Sequence, residues 1–372
     1  MSQFRYGHAA GSDWREAAVA CLSQIGAIPN QATLGLLYVT DVLAPDLEAL
    51  LGLLRASTGV EQWVGTIGVG ICATGAEYYD QPAVAVMLAE LPTDAFRVVS
   101  VPDGDMARFD AIHGDWLSDH QPFLGLVHGD PSKADIEELV QALASGLSTG
   151  FLVGGLASAR TTMHGIANEI LSDPLSGVFF TEAVGVTTAL TQGCSPIGPT
   201  HVITDCQRNI LIAIDDRSAF DVFKEEIGEE LASDLGQLGG QLFAGLPIRG
   251  SDTGDYIVRN LVGIDPNHGL LAIGELVESG QQLVFCRRDA ETALEDLDRM
   301  LAALERRLSG PPRGGVYVSC MGRGVNLFGP DSAELKRIQA RLGDFPLVGF
   351  YANGEISQDR IYGYTGVLTL FT

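Results

Sequence analysis

Pro346-Leu347-Val348-Gly349-Phe350-Tyr351-Ala352-Asn353-Gly354-Glu355-Ile356 is the stretch that decides the fold. Residues 347–350 are apolar and short enough for one buried strand, and Asn353-Gly354 supplies a turn. Upstream, residues 315–319 read as another strand. Between the two, Asp331 with Glu334 starts a helix that presents Leu335, Ile338 and Leu342 on one face, and Gly343 ends it. Downstream, a hairpin leads to a last strand at 366–371. The unit is therefore strand, helix, Val-Gly step, glycine-rich turn, strand.

The same order occurs twice more. Residues 32–39 form a strand, and Pro45 opens a helix carrying Leu47, Leu50, Leu51 and Leu54. Trp63-Val64-Gly65, a glycine-rich stretch to Gly75 and a strand at 83–89 follow. In the other copy, residues 123–127 are a strand and His128-Gly129-Asp130-Pro131 a turn. Ser132 with Asp135 starts a helix whose face is Ile136, Leu139, Val140, Leu143 and Leu147. Leu152-Val153-Gly154-Gly155 and strands near 177–182 and 184–191 complete it. The remainder offers strands at 209–214, 256–264, 269–276 and 282–286 and a helix at 218–231. A long helix at 289–308 has acids first and Arg306-Arg307 last, matching the helix dipole.

The expected fold is thus α/β: layered β-sheets covered by helices, in two related halves with internal repeats of a strand-helix-strand-hairpin unit. We divide the chain into an N-terminal helical segment at 1–30, with a helix at 13–25, and parts at 31–220 and 221–372.

A chain of 372 residues that is 46% hydrophobic can fill the cores of two domains. Its net charge of −24 repels phosphate backbones and anionic lipid heads, so neither nucleic acid nor an anionic membrane surface is an expected partner. Lysine is scarce (Lys133, Lys224 and Lys336), and nearly all positive charge is arginine, which binds carboxylates and phosphates bidentately. The six cysteines at 21, 72, 194, 206, 286 and 320 match no zinc spacing and read as reduced thiols. No signal-peptide pattern and no membrane-length apolar run are present, so the expected location is cytoplasmic.

The familiar catalytic signatures fail. There is no phosphate-binding loop with its lysine, no complete dinucleotide fingerprint at Gly68-Val69-Gly70, no nucleophile elbow and no paired-histidine metal motif. No catalytic residue, metal ligand or cofactor is assigned.

Four segments carry what chemistry there is. Ser319-Cys320-Met321-Gly322-Arg323-Gly324 follows a strand, and Gly322 and Gly324 let the backbone turn tightly beside Arg323. Such an arginine suits a carboxylate or phosphate, and its charge would lower the pKa of Cys320. A structural ion pair with a buried inert thiol uses the same residues. Asn353 and Glu355 equip the second segment to hold an amine and a polar head group, although a plain hairpin would also use Asn-Gly. The third, Gly193-Cys194-Ser195-Pro196-Ile197-Gly198-Pro199, reads as a rigid loop exposing N–H groups near Cys194 and Gly198. The fourth is Val153-Gly154-Gly155-Leu156-Ala157-Ser158, where small residues serve either a ligand or helix-to-strand packing.

These segments resemble the FIST family, with its N-terminal and C-terminal parts in tandem. The C-terminal likeness rests on residues 319–324, Phe328-Gly329, residues 346–350, Asn353-Gly354-Glu355-Ile356 and Gly363-Tyr364-Thr365. The N-terminal likeness rests on Val64-Gly65, Val153-Gly154-Gly155 and the Gly193-Cys194 to Gly198 run, and together they cover about 31–372. Gly65 to Gly75 matches only loosely. The resemblance implies an intracellular sensory module that binds a small ligand, amino-acid-like or another small anionic or zwitterionic metabolite. No kinase, cyclase, chemotaxis or F-box segment is evident, so the signal would pass to a separate partner protein. The ligand site expected from these four strand-end segments is Arg323, Cys320, Gly322, Gly324, Asn353, Glu355, Cys194, Gly198, Gly154, Gly155 and Ser158. A protein-interaction scaffold and an enzyme using Cys320 or Cys194 are the alternatives.

Overall fold

A strand, β1 (Phe4–Ala10), precedes the first helix. Helix α1 (Trp14–Ile25) starts where Asp13 accepts from the amides of Arg15 and Glu16, and it buries Trp14, Ala17, Ala18, Cys21 and Ile25. In the computed structural model residues 3–29, 31–228, 240–248 and 256–372 are described. They divide into two compact units, Met1–Thr191 with Leu297–Thr372, and Gln192–Asp296.

The first unit continues with β2 (Leu34–Thr40), α2 (Leu47–Thr58) and β3 (Gln62–Gly68), and then β4 (Gly70–Ala73), β5 (Ala76–Tyr79) and β6 (Ala83–Ala89). Next come β7 (Phe96–Ser100), α3 (Met106–His120), β8 (Leu124–Gly129), α4 (Ile136–Ser145) and β9 (Phe151–Leu156). Four more strands follow: β10 (Gly165–Ala167), β11 (Glu169–Leu171), β12 (Leu175–Phe180) and β13 (Val186–Gln192).

The second unit holds β14 (Cys194–Gln207), β15 (Ile210–Ile214), β16 (Arg217–Ser218), α5 (Ala219–Ile227), β17 (Leu242–Pro247), β18 (Tyr256–Asp265), β19 (Leu270–Ile273) and β20 (Gln282–Arg288). Its strands run in the order β14-β20-β17-β18-β19-β15-β16, and β14 also pairs with β15, which closes six of them into a ring. Val222 and Phe223 of α5 pack into this ring's core beside Leu211 and Phe285. The 193–199 segment is therefore not a loop: from Cys194 it is strand, irregular only between Ile197 and His201. Its Gly and Pro content concealed that. Strand β17 was also missed, and of the helix expected at 218–231 the last residues, 229–231, lie outside the described residues.

After α6 (Ala290–Arg307) the first unit resumes with β21 (Gly314–Cys320), the short α7 (Val325–Phe328) and α8 (Ala333–Leu342). Then follow β22 (Leu347–Ala352), β23 (Glu355–Gln358), β24 (Arg360–Tyr362) and β25 (Thr365–Phe371).

Three six-stranded sheets make up this unit: β1-β6-β2-β3-β10-β11, β7-β12-β8-β9-β23-β24 and β13-β25-β21-β22-β4-β5. All three have one plan. A parallel pair (β2/β3, β8/β9, β21/β22) is joined through a helix, as a parallel crossover requires. The third strand after each pair (β6, β12, β25) returns antiparallel beside the pair's first member. The hairpin after each pair leaves its own sheet: β4–β5 docks on β22, β10–β11 on β3 and β23–β24 on β9. Asn353-Gly354 is thus a crossing between sheets, because β22 and β23 do not pair with each other.

The Val-Gly steps have a steric cause. A Cβ on Gly65, Gly154 or Gly349 would lie 1.8, 1.9 or 1.8 Å from the carbonyl oxygen of Leu37, Val127 or Tyr317 on the parallel partner strand. The inner faces of all three sheets meet in one core that includes Tyr38, Leu126, Val153, Val318 and Phe350. Helices α1 and α2 cover the outer face of the first sheet, α3 and α4 that of the second. Each fully buried leucine there contributes about 1.5–3 kcal/mol. Asp135, not Ser132, stands at the start of α4, and His128 and Gly129 belong to β8 rather than to a turn.

Candidate functional site

Strand β21 ends at Cys320, and the amide of Arg323 donates back to the Cys320 carbonyl at 2.7 Å, closing a tight turn. That turn folds the Arg323 side chain inward until it is wholly buried. Its Nε and Nη2 donate to Oε1 of Glu334 on α8 at 2.8 and 2.5 Å. Glu334 is buried too, and it also accepts from the Tyr317 hydroxyl at 2.5 Å and the Ser319 hydroxyl at 3.1 Å. Burial works against the charge on Arg323, but Glu334 more than offsets it and holds the guanidinium protonated. Arg323 Nη1 has no hydrogen-bond partner. Sequence reading gave Glu334 to the helix cap; the carboxylate instead turns into the core.

Glu355 opens β23 and is fully buried. Its Oε2 accepts from the amide and hydroxyl of Thr365 at 3.1 and 2.9 Å, while Oε1 has no partner. Burial pushes its pKa up to about 8, against the Thr365 hydrogen bonds and the Arg323 charge, so at neutral pH this carboxyl mostly keeps its proton. Cys320 feels both neighbours. Its thiol is buried, with the Gly322 amide 3.4 Å from Sγ. Desolvation and Glu355 raise its pKa far more than Arg323 lowers it. The expected activation of this thiol is therefore reversed.

Asn353 is exposed; its backbone amide donates to Leu156 O at 2.9 Å. Gly324 has φ 51° and leaves no room for a side chain, since a Cβ would meet the Tyr351 ring at 2.6 Å. A Cβ on Gly155 would meet Val318 and Ala352 at 2.7 and 2.8 Å, so this glycine lets two sheets touch. Ser158 is buried, its hydroxyl donating to Tyr351 O and accepting from the Val69 amide at 3.1 Å. It ties together the chain beyond β3, beyond β9 and in β22. Cys194 and Gly198 lie in the second unit. Cys194 is buried there and its carbonyl accepts from the Tyr256 hydroxyl at 2.6 Å. Gly198 has φ 70° and sits against the Glu226 carboxylate.

One feature escaped the sequence reading altogether. Ser176, His128, Gly155 and Glu355 stand opposite one another across β12, β8, β9 and β23, and so share a face of the second sheet. The topologically equivalent rows are Ala85, Tyr38, Thr66, Gly165 in the first sheet and Val367, Val318, Phe350, Ile71 in the third. The second row alone among these carries buried polar atoms without partners: Ser176 Oγ, His128 Nδ1 and Glu355 Oε1. His128 Nε2 is 3.1 Å from the Tyr38 hydroxyl, and Tyr38 in turn stacks on Phe350 at 5.5 Å.

Fold and cluster together define a layered α/β protein with a polar, charge-bearing cluster buried at its strand ends. The chain belongs to the FIST family: residues 33–217 match the FIST N domain and residues 219–358 the FIST C domain. FIST domains are in general sensory signal-transduction modules. An uncharacterized protein of Mycobacterium tuberculosis is 31% identical over 342 residues, spanning 87% of this chain and 86% of its own. Another, from Mycobacterium bovis, is 30% identical over 384 residues, 96% of each chain. A crystal structure of cyanuric acid hydrolase from A. caulinodans aligns over 100% of this chain and 99% of its own at 12% identity. Its TM-score is 0.29, too low for that enzyme's chemistry to bear on this chain. No helix among the described residues is long and apolar enough to cross a membrane.

Proposed function

We propose that this protein is a sensory module that binds a small ligand, amino-acid-like or another small anionic or zwitterionic metabolite, and passes the signal to a partner protein. What supports the reading is one observation. Arg323 Nη1 and Glu355 Oε1 are both buried and both unpartnered, on two side chains that each act electrostatically on Cys320. An orphaned buried polar atom costs about 1–3 kcal/mol, so two of opposite character beside one thiol form a place where a small polar molecule regains that energy. The guanidinium donates to an anionic group, and Glu355 accepts from an amine once ionised. Gly322, Gly324, Gly154 and Gly155 allow the close backbone approach around it, with Ser158 and Asn353 at the crossings. Cys194 and Gly198 stand on the other unit, and the reading does not depend on them.

The test is a thermal-shift screen of amino acids, nucleotides and small organic acids. A ligand present at about 100 times its Kd stabilises by about 2.7 kcal/mol. A hit should lose its shift in Arg323→Lys, which cannot reproduce the planar fork, and in Glu355→Gln. A hit whose affinity is the same in both variants overturns the assignment of these residues.

A further inference from the structure

We propose that the first unit carries a second site, separate from Arg323, in which His128, Asp130 and Asp173 bind a primary ammonium group of a small molecule. The pocket is small, with about 10 Å³ open to the centre of a water-sized group, and is lined by Thr66, His128, Asp130, Met163, His164 and Asp173, among others. That is room for about one water-sized group, so it takes only the ammonium head of a molecule whose remainder stays outside.

Its chemistry is one-sided. Two carboxylates line it and no arginine or lysine does; Lys133, whose side chain is 40% exposed, is 3.9 Å from Asp130 Oδ2 but lies outside the lining. His128 is 2% exposed and its Nδ1 has no partner, while the opposite ring nitrogen is engaged by Tyr38. His164 Nδ1 is likewise buried without a partner. Burial drives the His128 pKa down to about 3, so the ring adds no positive charge to offset the carboxylates. Among the described residues no group of three or more His, Cys, Asp and Glu is placed to hold a metal ion. An ammonium, by contrast, needs only acceptors for its three N–H bonds. The two aspartates supply two of them. The third is the lone pair on His128 Nδ1, in the tautomer whose Nε2–H donates to the Tyr38 oxygen. Gly165, also in the lining, lets the backbone pass close to Ser176: a Cβ there would lie 2.4 Å from Ser176 Oγ.

The experiment is a titration of the full chain with methylammonium chloride at constant ionic strength, read by the ¹⁵N and ¹³C signals of the His128 imidazole. Potassium chloride and tetramethylammonium chloride are the controls. A saturable shift of the His128 signals with methylammonium, absent with both controls, is expected. Asp130→Asn and Asp173→Asn should each weaken it at least about tenfold, the equivalent of losing one charge-assisted hydrogen bond. Both aspartates are partly exposed, so these variants keep the fold. No saturable shift, or one that both variants leave unchanged, overturns the proposal. Neither result bears on the Arg323 reading, whose variants are not used here.

Discussion

A single carboxylate oxygen, Oε1 of Glu334, accepts from both Nε and Nη2 of Arg323, at 2.8 and 2.5 Å. Because both side chains are buried, the pair is worth most as a pair. Removing one partner strands a charge in the core, which costs about 3–5 kcal/mol. Arg323→Ala and Glu334→Gln should therefore each lower the denaturant midpoint strongly. Arg323→Met combined with Glu334→Leu should cost less than the sum of the single changes, since no charge is left unpaired. Additive losses in equilibrium unfolding would show that the two residues do not act together.

Glu355 gives a pH signature of the opposite sense to an ordinary ion-paired acid. Its folded pKa of about 8 lies above the ordinary carboxyl value of 4.5. Below the lower value both folded and unfolded chains carry the proton and nothing is lost. Between the two values the unfolded chain releases its proton and the folded one does not, so stability falls as pH rises, by up to about 1.4 kcal/mol per unit. Above about 8 the penalty is complete and flat. Glu355→Gln should remove this slope and gain on the wild type towards pH 8. Parallel stability curves for the two proteins across pH 5–8 would refute the assignment.

Much of this architecture is legible because local periodicity creates it. Leu47, Leu50, Leu51 and Leu54 recur at helical spacing, and β2 is an unbroken apolar run, so α2 and β2 follow from the sequence. The Val-Gly steps mark where a parallel neighbour's carbonyl comes too close for any Cβ. The exchange of hairpins between sheets is not legible, because it joins strands such as β4 and β22 that lie far apart in the chain. The polar row was missed for a related reason. His128-Gly129-Asp130-Pro131 has the composition of a turn, and only its register with Ser176 and Gly155 shows that His128 faces the core. Glu334 fits a helix start by position, and nothing local says that Arg323 reaches it.

His128 sets a limit on the acid side. Burial lowers its pKa from 6.5 to about 3, so the unfolded chain takes up a proton that the folded chain refuses. Stability attributable to this residue is complete above about pH 6.5 and falls, by up to about 1.4 kcal/mol per unit, as pH drops towards 3. Replacing it with glutamine should flatten that part of the curve relative to wild type. The imidazole signals of His128 should also show no titration between pH 5 and 8. A midpoint near 6.5 would mean that the ring is solvated.

The three Val-Gly steps predict a matched set of substitutions with opposite signs. Ala at Gly65, Gly154 or Gly349 places a methyl 1.8 to 1.9 Å from a backbone carbonyl oxygen. A carbonyl in a parallel pair has no rotamer to move to, so the strands must separate and their ladder weakens. Each substitution should cost at least about 3 kcal/mol, the upper range for overpacking a rigid site. Gly52 in α2 and Gly114 in α3 are the controls, because a Cβ at either meets nothing within 4 Å. There Gly→Ala removes unfolded-chain freedom and improves helix propensity, and should stabilise by about 0.5–1 kcal/mol. Urea midpoints at a common slope separate the two groups. A mild effect at Gly154 beside a severe one at Gly349 would mean that the second sheet yields where the third does not, and that their shared plan does not extend to shared rigidity.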